Sequence, residues 1–80
     1  MNIKTLYGVV LKSNNDGERM NSFLSKDSAL NEAEKLVNLI KSSSKKGFKV
    51  YLSDLEYDEY KNVILSDSLI NSNSELIFEN

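Results

Sequence analysis

The side chains best equipped for chemistry lie together in the last third of the chain. Asp54, Glu56, Asp58 and Glu59 fall within six residues, with Tyr57 and Tyr60 interleaved, and Asp67 follows shortly after. Carboxylates at this density invite three readings. A solvated acidic loop is the commonest fate of such a run, and it is slightly favoured. A surface for a basic protein comes second, because Tyr offers large contact area at low entropic cost and carboxylates steer cationic partners. A hard-cation site comes last, since the spacing matches no calcium loop and no Gly assists the turn. No metal or cofactor is expected. The seven residues named are the candidate partner-binding set.

Other chemistries find less support. The chain has no Cys and no His, which removes thiol nucleophiles, disulfides, thiolate zinc sites and imidazole bases together. A nucleophilic Ser would need Lys or a carboxylate as its base. Gly8, Gly17 and Gly47 are isolated, so there is no glycine-rich phosphate loop. Asn14-Asn15-Asp16-Gly17-Glu18 has the look of a calcium loop, but with Gly17 at the sixth position Lys12 and Phe23 occupy the first and twelfth, where oxygen ligands are required. Lys41, Lys45, Lys46 and Lys49 could face nucleic acid. Without an Arg or a stacking aromatic among them, they read better as cations gathered at the negative end of a helix. The expectation is a non-enzymatic domain without direct nucleic-acid binding.

Composition bounds the rest. Eighty residues suffice for one domain, 1–80, with a small core and marginal stability. Hydrophobic residues make up 40% and charged ones 28%, a globular balance. The longest apolar run, Tyr7 to Leu11, is far short of the roughly 20 residues of a membrane helix, and residues 1–4 lack the pattern of a signal peptide. A cytoplasmic protein of a bacterial cell is therefore expected. Richness in Asn, Ser, Lys and Ile suggests an AT-rich coding genome. Charge is uneven: residues 1–49 carry nine basic and five acidic side chains, residues 50–80 one and seven, a net of +4 beside −6.

The elements that must position these groups follow from periodicity. Residues 5–11 are β-branched and aromatic, residues 14–17 form a turn, and residues 18–24 alternate, which together predict a hairpin. Ser25 is placed to cap a helix with Asp27 in its first turn. Ala29, Ala33, Leu36, Val37 and Ile40 line one face of that helix, which should stop near Ser42 to Lys46 with Gly47 as terminator. Phe48, Val50 and Leu52 alternate as a half-buried strand, and residues 60–66 read as another. Between them, residues 54–59 are ambiguous: Ser53 and Glu56 match a capping box, and a long hairpin loop is the alternative. Residues 67–80 read as a loose tail or a short last strand. The predicted fold is α+β, a mainly antiparallel β-β-α-β-β sheet with one helix on one face.

These features favour a small protein-binding module acting through its acidic, Tyr-containing third. In size, charge and composition the chain resembles small phage or mobile-element proteins that inhibit host machinery, inhibitors of CRISPR nucleases among them. That resemblance implies a basic nucleic-acid-binding protein as partner, with Asp54, Glu56, Asp58, Glu59 and Asp67 standing in for phosphates. Two alternatives stay open. One is a homodimer or larger assembly that pairs through a sheet edge. The other is a weak nucleic-acid binder using the four lysines.

Overall fold

A computed structural model describes residues 3–66 and 68–80. Strand β1 (Ile3–Ser13) and strand β2 (Gly17–Phe23) form the expected hairpin, in register from Tyr7 opposite Phe23 to Ser13 opposite Gly17. The three turn residues between them end at Gly17, whose φ of 76° suits the left-handed position of such a loop.

Helix α1 (Lys26–Ser43) begins where the sequence places it. Ser25 has extended backbone, and its Oγ accepts the Ser28 N–H at 3.2 Å. Ala29, Ala33 and Ile40 are buried, with Leu36 and Val37 packed beside them. The helix stops at Ser44, which takes the left-handed conformation expected of a glycine there. Gly47, at φ 88°, serves the turn into the next strand, where an added Cβ would lie 2.9 Å from Asn14 Nδ2.

Strand β3 runs from Phe48 to Asp58, twice as far as the Phe48–Leu52 alternation predicts. The acidic run is therefore neither a loop nor a helical turn. The reason is an alternation that continues beneath the charges: Ser53 and Leu55 turn inward as Asp54 and Glu56 turn out. β1 pairs with β3 along its whole length, from Ile3 opposite Asp58 to Ser13 opposite Phe48. The next strand, β4, is only Val63–Ile64, because Tyr60 to Asn62 belong to the turn before it. The last segment, Glu75–Glu79, is a fifth strand, β5, against Lys49–Leu52.

The sheet is antiparallel with order β2-β1-β3-β4, and β5 shares the outer side of β3 with β4. One face carries α1 over Val9, Val50 and Leu52, flanked by Tyr7, Leu11, Phe48 and Phe78. The domain is thus α+β, with one helix on a curled sheet. The far face carries a second buried set, Leu6, Val10 and Leu55. Gly8 lets this set close: a Cβ there would sit 2.7 Å from Met20 Sδ and 3.2 Å from Leu55 Cδ1. Each fully buried Leu or Val contributes about 1.5–3 kcal/mol relative to exposure, so these few side chains decide whether the domain holds. No helix among the described residues is long and apolar enough to cross a membrane.

Candidate functional site

The two long strands outrun their cover. β2 ends at Phe23, opposite Tyr7, and the chain turns there into α1. Residues Ile3–Leu6 of β1 and Leu55–Asp58 of β3 therefore continue beyond β2 and beyond the start of the helix. Opposite residues of an antiparallel pair share a face, so the register arranges this end in rows. On the helix side, Ile3, Asp58 and Val63 make one row. Thr5 and Glu56 start the next, which Leu65 continues by donating its N–H to the Glu56 carbonyl at 2.8 Å. Tyr7 and Asp54 make a third.

The candidate carboxylates lie along the middle strand of this end, in different environments. Asp54 and Glu56 are exposed and have no side-chain partner among the described residues. Asp58 is buried, and its Oδ1 accepts the N–H groups of Tyr60 at 3.0 Å and Lys61 at 3.2 Å. It is a turn-builder, which is why the strand can reverse into β4 within four residues. Glu59 is paired with Lys4 at 3.0 Å across the strand ends. Tyr57 faces the other way, half-buried, and its hydroxyl donates to Asn62 Oδ1. Tyr60 stands 77% exposed at the tip of the turn. Asp67 lies outside the described residues. Of the six described candidates, then, the carboxylates of Asp54 and Glu56 remain free on one face.

What sequence reading missed is the apolar border of that pair. Ile3 is 46% exposed, Val63 44% and Leu65 41%. They border the carboxylate strand on both sides: Ile3 and Val63 stand beside Asp58 and Leu65 beside Glu56, while Asp54 faces Tyr7. One signal was present in the sequence. Val63-Ile64-Leu65 is apolar at three successive positions, and a strand alternates its faces, so both sides of the sheet must meet apolar side chains there. The far side of the same end holds a groove of about 530 Å³ lined by Lys4, Leu6, Leu24, Tyr57, Glu59 and Ile64.

The lysine group does not stay together. Lys41, Lys45 and Lys46 line a hollow of about 380 Å³ at the end of α1, where Lys41 Nζ lies 5.8 Å above the Phe78 ring. Lys49 points from the opposite face of β3 and pairs with Glu79 at 3.2 Å. That pairing, chiefly the hydrogen bond to Glu79 and then its charge, raises the Lys49 ammonium above its ordinary value. Among the described residues, no three carboxylates come together as a metal-binding group. Comparison with protein-family models, curated proteins and solved structures finds no match.

Proposed function

We propose that this domain is a non-enzymatic protein-binding module that takes a basic partner on the uncovered, helix-side end of its sheet. The observation that carries the reading is the pair Asp54 and Glu56, free and exposed on a strand whose uncovered end is bordered by Ile3, Val63 and Leu65. An Arg or Lys of the partner has a place on the carboxylates, and its aliphatic stem or an apolar neighbour lies on the flanking side chains. Apolar surface gives the contact its energy, and the two charges give orientation and association rate.

Inhibition of a host nucleic-acid-binding protein is the narrower form of this reading. With Asp58 and Glu59 engaged inside the domain, two of the four described candidate carboxylates are free to imitate phosphates. That number suits one or two basic side chains at a protein surface better than a long nucleic-acid channel. The test is capture of partners from a bacterial lysate by the tagged domain, with three variants. Asp54→Asn with Glu56→Gln, and separately Ile3→Asp, are expected to lose the partner, whereas Glu59→Gln keeps it. Recovery that is indifferent to Asp54→Asn with Glu56→Gln would sink the proposal.

A further inference from the structure

The two outer edges of the sheet are finished to different degrees. On the β3 side the outermost strands are short and irregular: β4 has two residues and β5 five, each paired with β3. β5 carries an irregularity opposite Val50 and Tyr51, and Asn80 clamps its end, exchanging hydrogen bonds with Phe48 at 3.0 and 3.1 Å and donating to the Lys45 carbonyl at 2.8 Å. Between β5 and β4, Glu56 donates its N–H to Ser66 Oγ at 3.1 Å and accepts from Leu65. On the other side lies β2, whose only strand partner among the described residues is β1. It runs seven residues without Pro or a bulge, and its charges are one of each sign, Glu18 and Arg19.

The side chains of β2 say what fits that edge. Two copies of one strand related by a two-fold axis pair antiparallel, and facing residues must then lie on the same side of the sheet. Only registers in which facing numbers sum to an even value satisfy this. Centred on Met20, the pairing uses all of Gly17–Phe23, with Gly17 facing Phe23, Glu18 facing Ser22 and Arg19 facing Asn21. No like charges face each other. Each Glu18 carboxylate meets a hydroxyl donor and each Arg19 guanidinium meets an amide oxygen. Centring on Arg19 instead sets two guanidinium groups face to face, and centring on Asn21 leaves Gly17 and Glu18 without strand partners.

We infer that β2 pairs with β2 of a second copy about a two-fold axis at Met20, joining two sheets into one. Glu18, Arg19, Asn21 and Ser22 are all exposed and free to meet their counterparts. A net charge of −2 per chain leaves little long-range repulsion to oppose the approach. This edge lies apart from Ile3, Val63 and Leu65, so the dimer leaves both copies of the uncovered end available. Linking two such ends raises avidity for any partner that presents two basic segments.

Light scattering on the full chain across a concentration series tests the inference. The mass should rise from 9.1 kDa toward twice that value. Ser22→Glu places a carboxylate opposite Glu18 twice per dimer and should weaken association roughly tenfold. Adding Glu18→Lys to Ser22→Glu should restore it, and Ile3→Asp should leave it unchanged. Hydrogen exchange on the unaltered chain gives a second reading that needs no variant: amides of β2 should gain protection as concentration rises. A monomer up to about 1 mM overturns the inference. So does a dimer indifferent to Ser22→Glu, a failure of the charge swap to restore it, or concentration-dependent protection confined to other strands. Loss of the dimer in Ile3→Asp would assign self-association to the uncovered end and overturn this inference, whereas partner binding is judged by capture alone.

Discussion

The two ends of the sheet are built from the same kinds of residue and meet opposite fates. At the covered end, Val9, Val10, Val50 and Leu52 are buried. At the other, Ile3, Val63 and Leu65 remain between 41% and 46% exposed on the helix side. The difference is one of length. β1 and β3 each have 11 residues, β2 has 7, and α1 starts where β2 stops. Hydrophobicity alone does not decide burial; it also takes an element long enough to lie over the strand. On the far side of the same end Leu55 is 1% exposed, while Ile64 at the rim of the groove is 36% exposed.

Leu55 and Leu65 therefore give the widest contrast available to one substitution. Leu55→Ala empties a closely packed site beneath Gly8 and should cost about 2–5 kcal/mol. Leu65→Ala should stay within about 0.5 kcal/mol, since the side chain is already partly in water. Urea unfolding of both variants measures the difference. Equal losses would mean that the helix-side end is covered in solution, and the partner surface would then be absent from the free domain.

How much of this was legible in the sequence depends on which period each segment kept. The helix was, because Ala29, Ala33, Leu36, Val37 and Ile40 repeat at helical spacing behind a capping Ser25. So was the first hairpin, because its turn residues tolerate the backbone that the turn demands. The second half of β3 was hidden: Asp54, Glu56 and Asp58 made an apolar/polar alternation resemble a charged loop. Only its pairing with Ile3–Tyr7, some fifty residues away, settles it as strand. The free pair within the candidate site was hidden for the same reason. Nothing local in the sequence distinguishes Asp58, turned in to hold backbone N–H groups, from Glu56, turned out to solvent.

Asp58 and Glu56 turn that distinction into a measurement. Asp58→Ala removes the acceptor for two backbone N–H groups at the Tyr60–Lys61 turn and should cost about 1–2 kcal/mol. It should also loosen β4, and with it Val63 and Leu65. Glu56→Ala should leave the urea midpoint nearly unchanged while weakening partner capture. If Asp58→Ala is as mild as Glu56→Ala in stability, both carboxylates are surface groups and the site regains a third charge.

The smallest effect belongs to the covered end, at the exposed ion pair Lys49–Glu79 that ties β3 to β5. The Lys49 ammonium is raised above its ordinary 10.5 in the folded chain, so the pair's contribution is fully present below that pH. As pH climbs through the raised value the folded state releases its extra proton and the contribution disappears. Glu79→Gln removes the partner charge and with it most of the shift. Above about pH 10 the unaltered chain should then lose stability more steeply than the variant, and the two curves should converge. Because the pair is solvent-screened, salt should shrink that difference further. Curves that stay parallel through the alkaline range would show that β5 is held by its backbone pairing, Phe78 and Asn80 alone.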